Sequence, residues 1–149
     1  MTDLNLPSFD CKIKKEKDKI YIFDDLRKRY IRLTPEEWVR QHFVSYLIRH
    51  RGYPQGLIGN EISLTLNGRA RRCDTIIYDI HFRPIAIVEY KAPNIPLTQE
   101  VFEQIIRYNM ALKVKYLIVS NGINHYCCAV DYEQMTHRFL PEIPEYTQL

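Results

Sequence analysis

An α/β sandwich built on a mixed sheet is the architecture this sequence predicts, and three observations carry it. Two β-rich runs, Arg72–Tyr78 and Ile85–Lys91, flank the connector Ile80-His81-Phe82-Arg83 and read as a hairpin. A helical stripe follows between Thr98 and Lys113, and the short apolar run Tyr116–Ser120 comes after it. Strand, helix, strand in that order is a crossover connection, so Tyr116–Ser120 is expected to run parallel to the Glu89 strand. A chain of 149 residues with 46% hydrophobic content suffices for one core and not for two, so residues 1–149 are expected to form one domain, its core running from about Thr34 to Val130.

The elements follow in order. An N-terminal β-hairpin is expected from Ile13 to Leu33, with turn material at Asp24-Asp25. Lys12, Lys14, Lys15, Lys17 and Lys19, interrupted by Glu16 and Asp18, read as the solvated face of that hairpin. Next comes a helix over Pro35–His50: Thr34 is its N-cap, Pro35 stands at the first helical position, and Glu37 completes a capping box. Glu61–Leu66 reads as a strand joined to Arg72–Tyr78 through an Asn67-Gly68 turn. The later helix is capped by Thr98 and carries Val101, Ile105, Tyr108 and Leu112 on its apolar stripe. Asn121-Gly122 turns the chain into a last strand, Tyr126–Val130, and the proline-bounded segment Glu142–Leu149 is expected to trail along the surface. No internal repeat, low-complexity stretch or linker interrupts this order.

The chemistry sits on the hairpin. A turn centred between His81 and Phe82 places Asp74 directly across from Glu89, with Cβ atoms about 4.5–5.5 Å apart. Side chains alternate along a strand, so Lys91 joins Glu89 on the same face. A shift of one residue in the turn would send Asp74 to the other face. Two carboxylates facing each other are destabilising unless a shared proton or a cation neutralises them. Mg²⁺, with Mn²⁺ as a substitute, suits such a pair, because one or two carboxylates, water and phosphate oxygens complete its shell. The competing reading is a surface hairpin whose Asp74, Glu89 and Lys91 make an ordinary ion pair.

Asp74 followed by Glu89-Tyr90-Lys91 resembles the D…(D/E)-x-K signature of the PD-(D/E)XK nuclease superfamily, with Cys73 where proline often stands. Arg71-Arg72-Cys73-Asp74, Val88-Glu89-Tyr90-Lys91-Ala92-Pro93, Gln104-Ile105-Ile106-Arg107-Tyr108-Asn109 and Ser120-Asn121-Gly122 occur in the order seen in the N-terminal nuclease domain of type I restriction enzyme R subunits. The resemblance runs from about Thr34 to Gly122. It implies a restriction-endonuclease-like fold, a mixed central sheet flanked by helices, and a metal held by Asp74, Glu89 and a main-chain carbonyl near Tyr90. It further implies a catalytic role for Lys91 and a Q-x-x-x-Y helix, Gln104 to Tyr108, bordering the site. Residues four apart share a helix face, although Tyr108 in the core and Gln104 at its boundary is the alternative. Glu37 likewise has two readings, a helix cap or an acidic residue supplied to the metal site, with Glu36 beside it and Arg40 one turn away from both.

Composition narrows the classes. A net charge of +3 is too small to argue nucleic-acid binding by itself. Arg49, Arg51, Arg69, Arg71, Arg72, Lys113 and Lys115 nonetheless flank the expected site, where they could contact phosphates. Cys11, Cys73, Cys127 and Cys128 show no zinc-site spacing and read as reduced thiols, one of the adjacent pair pointing inward and the other outward. The five histidines are scattered. No apolar run of about eighteen residues and no signal-peptide pattern occurs, so a cytoplasmic protein without membrane contact is expected. The chain has no G-x-x-x-x-G-K-[ST] phosphate loop, so whatever supplies DNA targeting, such as other subunits of a restriction-modification system, is expected to come from another chain, or the domain acts alone. The expected activity is Mg²⁺-dependent endonucleolytic hydrolysis of DNA; the alternative is a non-catalytic nucleic-acid-binding or assembly module of the same fold.

Overall fold

The computed structural model describes residues 1–149, the Leu66 side chain excepted. Its N-terminal part is an antiparallel three-stranded sheet of β1 (Ile13–Glu16), β2 (Lys19–Asp24) and β3 (Arg29–Arg32). The expected hairpin is therefore a meander with two turns. The first falls at Lys17-Asp18, both left-handed with φ of 51° and 65°, as a two-residue hairpin loop requires. Neither residue is glycine or asparagine, which hid the turn. Around the second, the Asp24 carboxylate accepts from the amides of Leu26 at 2.7 Å and Arg27 at 3.2 Å.

After α1 (Pro35–His50) the chain forms β4 (Ile58–Leu66), β5 (Arg69–Tyr78), β6 (Pro84–Tyr90), α2 (Gln99–Met110), β7 (Tyr116–Ser120), β8 (His125–Asp131) and β9 (Thr136–Phe139). The six strands lie in sequence order, and β6 and β7, joined by the α2 crossover, are the parallel pair. That is the connection expected between Lys91 and Tyr116. Strand β9 was not expected, because Thr136-His137-Arg138-Phe139 is exposed throughout and has no apolar alternation to announce it.

Both faces of the sheet are covered. Helix α1 lays Val39, Phe43 and Leu47 on Ile77, Val88 and Ile118, while α2 lays Phe102, Ile105 and Ile106 on Ile76, Ile87 and Leu117. Consecutive strand residues thus feed opposite layers, and each such side chain contributes roughly 1.5–3 kcal/mol by leaving water. The rule also corrects the cysteine expectation: Cys127 and Cys128 point to opposite faces, yet both are buried, one in each layer.

Two further expectations are revised. The buried side of α2 is Phe102, Ile105, Ile106 and Asn109, whereas Tyr108 is 46% exposed. The segment after Pro141 does not trail: Ile143 is buried, the Tyr53 hydroxyl donates to the Pro144 carbonyl at 3.0 Å, and the Tyr146 hydroxyl donates to the Tyr78 carbonyl at 2.9 Å. Periodicity over eight residues is too short to reveal such docking. No helix is long and apolar enough to cross a membrane.

Candidate active site

The site begins with the register of β5 and β6. Thr75 pairs with Val88, Ile76 with Ile87 and Ile77 with Ala86, the irregularity being confined to Ile77/Tyr78 near the turn. One step beyond Thr75 and Val88, Asp74 comes opposite Glu89. Their carboxyl groups are close enough for the Asp74 charge to act on Glu89, and the Tyr90 amide donates to Asp74 Oδ2 at 2.9 Å.

The opposite side of Asp74 is irregular for a reason that can be named. Glu61, its counterpart on β4, has a φ of 55° and drops out of the ladder between Asn60 and Ile62. The Asp74 carbonyl is taken instead by Arg40 Nη1 of α1 at 2.8 Å. Arg40 Nη2 reaches Glu61 Oε1 at 2.6 Å, and Arg72 Nε reaches Glu61 Oε2 at 2.6 Å.

Glu89 is the least satisfied group in this arrangement. Its Oε1 is buried without a hydrogen-bond partner among the described residues. Burial first, and the neighbouring Asp74 charge second, hold its carboxyl well above the usual carboxylate range. Asn109, fully buried on α2, lies beside it. Asn109 was not singled out from the sequence, though a polar residue at core spacing, four after Ile105, is the signal that finds it. Cys73 is no competitor for chemistry, since burial pushes its thiol up to about 12.

A cavity of about 420 Å³ opens in front of Glu89, and Lys91, Gln104, Tyr108, Asn109 and Arg72 line it. The Lys91 amide extends the parallel ladder by donating to the Ser120 carbonyl at 2.9 Å. Arg71 lies 4.8 Å from the centre of the Tyr108 ring. The structure thus brings Glu89, Lys91, Gln104 and Tyr108 around one cavity, whereas Asp74, across from Glu89 on β5, is not among the residues that line it. Glu37 is placed elsewhere. Thr34 Oγ1 accepts from its amide at 3.1 Å, but the buried carboxylate accepts from Arg27 Nη2 at 2.9 Å and Gln41 Nε2 at 2.8 Å. Its link to Asp74 runs through Arg40, whose Nε is 3.4 Å away.

Among the described residues no three His, Cys, Asp or Glu side chains gather as a ready-made metal cage. A pair of carboxylates, one with a buried unpartnered oxygen, nevertheless fits a divalent cation that keeps most of its shell for water and phosphate.

The family described as type I restriction enzyme R protein N terminus matches residues 35–144. A solved chain described as a fragment of an HsdR subunit of a type I restriction enzyme from Vibrio vulnificus YJ016 is 23% identical, with a TM-score of 0.52 over 78% of this chain. This chain spans 25% of that one. A DrdV–DNA complex is 15% identical, with a TM-score of 0.46 over 73% of this chain and 11% of the other. No curated protein matches. The likeness to the HsdR fragment shows that the two share a mixed α/β fold.

Proposed function

The chain belongs to the type I restriction enzyme R protein N terminus family, and from that premise we propose that it is a Mg²⁺-dependent endodeoxyribonuclease. The observation that supports this most directly is the buried, unpartnered oxygen of Glu89 facing Asp74 beside Lys91. Asp74 and Glu89 would hold the cation. When bound, it supplies charge neutralisation and Lewis-acid polarisation at the scissile phosphate.

The chain's own residues do the rest. Lys91 brings an ammonium to the cavity that Glu89 lines, where it stabilises negative charge as water adds to phosphorus. The new P–O bond forms as the ester P–O bond to the leaving sugar oxygen breaks; the attacking water gives up a proton to solvent and the leaving oxygen takes one from solvent. Arg72 at the cavity wall holds a non-bridging phosphate oxygen. Gln104 and Tyr108, one turn apart on α2, orient the backbone or the attacking water. DNA and other subunits of a restriction system would be its partners.

Supercoiled plasmid incubated with the protein and Mg²⁺ or Mn²⁺ should be nicked, and Lys91→Ala should abolish this. Equal cleavage by both proteins would sink the assignment. DNA binding without cleavage would leave a non-catalytic module of this fold.

A further inference from the structure

We propose that the outward face of the β1–β2–β3 sheet is a second DNA contact, gripping the phosphate backbone away from the cleavage cavity; this rests on the nuclease reading. The sheet precedes the family-matched residues 35–144, and nothing in the catalytic arrangement uses it. Between Lys12 and Arg32 stand nine basic residues against four acidic ones, a net +5 on a chain whose total is +3. The remaining chain is therefore slightly acidic, and the positive charge is local.

Register decides where that charge points. In β2, Ile22 and Asp24 are buried while Tyr21 and Phe23 are half-buried on the other side. Lys14 and Arg32 flank Tyr21 across the sheet, Tyr30 pairs with Phe23, and Glu16 pairs with Lys19. The Phe23 amide donates to the Lys12 carbonyl at 2.9 Å, which sets Lys12 beside Phe23. Lys12, Lys14, Lys19 and Arg32 thus share one face with Tyr21, Phe23 and Tyr30, against the single carboxylate of Glu16. Lys14 is 3.4 Å from Glu16, whereas the other three have no carboxylate partner among the described residues. Lys14 also caps the Tyr30 ring at 4.3 Å and Lys12 the Phe23 ring at 5.4 Å, which holds flexible cations out over the face.

The face is also fixed relative to the cavity. Asn60 Nδ2 of β4 donates to Asp24 Oδ2 at 3.1 Å, and Thr75 Oγ1 of β5 donates to Asn60 Oδ1 at 2.7 Å. Arg27 bridges Asp24 and Glu37. A basic face so clamped can track DNA at a set offset from Asp74, and the shared chemistry of its four cations is recognition of phosphate.

The test is fluorescence anisotropy with a labelled mixed-sequence duplex in EDTA, across salt concentrations. Changing Lys12, Lys14, Lys19 and Arg32 together to Gln should weaken binding at least tenfold at low salt. It should also make the log–log salt slope shallower by about 3.6, near 0.9 for each of four phosphate contacts. A companion variant with the three lysines changed to Arg should keep the slope and shows that the sheet tolerates substitution. An unchanged slope in the Gln variant would overturn the inference while leaving cleavage to be judged by the plasmid assay. Slope loss in a protein that never nicks plasmid would support this face and defeat the nuclease reading instead. Tighter binding of polyglutamate than of duplex would overturn the inference in favour of an acidic protein partner.

Discussion

Arg40 donates from Nη1 to the main-chain carbonyl of Asp74 at 2.8 Å, so a helix side chain closes the hydrogen bonding of the strand that carries the first acid. The same guanidinium serves Glu61 at 2.6 Å and lies 3.4 Å from Glu37. It is a structural hinge-pin between α1, β4 and β5, and it sets where Asp74 stands.

Arg40→Ala should therefore be severe. It leaves the Asp74 carbonyl without its donor and takes one of two arginines from each of Glu37 and Glu61, which keep Arg27 and Arg72; losing hydrogen bonds of this charged kind typically costs about 1.5–3 kcal/mol. Arg40→Lys keeps the charge but loses the planar fork, and should fall between the two. Urea unfolding measures both; a loss below about 1 kcal/mol for the alanine variant would show that the network does not anchor the strand.

Glu89 makes stability depend on pH in a defined direction. Its folded pKa lies above the ordinary value of 4.5, so the metal-free folded protein retains a proton that the unfolded chain releases. Its contribution is full below about pH 4.5 and is lost as pH rises through the elevated folded value. Glu89→Gln should remove that loss, stabilising the metal-free protein by on the order of 2 kcal/mol at neutral pH while abolishing cleavage. Thermal melts in EDTA at pH 5 and pH 8 would decide it: a variant less stable than the parent at both would refute the account.

The same proton must leave before a cation can bind. Mg²⁺ or Mn²⁺ affinity should rise with pH, by up to about tenfold per unit, until Glu89 is ionised. Calorimetric titration that finds flat affinity between pH 6 and pH 8 would contradict this.

Deletion of residues 142–149 should destabilise the protein by about 3 kcal/mol or more, because it uncovers Ile143's apolar contacts and orphans the buried Tyr53 hydroxyl. Chemical denaturation of the shortened chain checks this, and an unchanged midpoint would mean the docked end carries no stability.

How much was legible follows from which interactions are local. Thr75 opposite Val88 agrees with the expected Asp74–Glu89 register, but the turn does not: Tyr78 pairs with Pro84, which centres the turn on His81, and the bulge at Ile77/Tyr78 brings the strands back into the expected pairing. Thr34 as N-cap and the parallel strand after α2 are local or topological. Asn109 beside Glu89, Glu37 drawn into an arginine cluster, and the docked end at Tyr146 all depend on contacts between residues far apart in sequence. Periodicity carries no information about those. Strand β9 escaped because an exposed edge strand needs no apolar side chain.

The adjacent cysteines have a use that follows from their divergence. Cys127 belongs to the layer under α1 and Cys128 to the layer under α2, so one dipeptide samples two hydrophobic compartments separated by the thickness of a sheet. Their alkylation rates under native conditions, resolved by mass spectrometry of single-cysteine variants, would report which helix lifts first. Equal rates would mean the two layers open together as one cooperative unit.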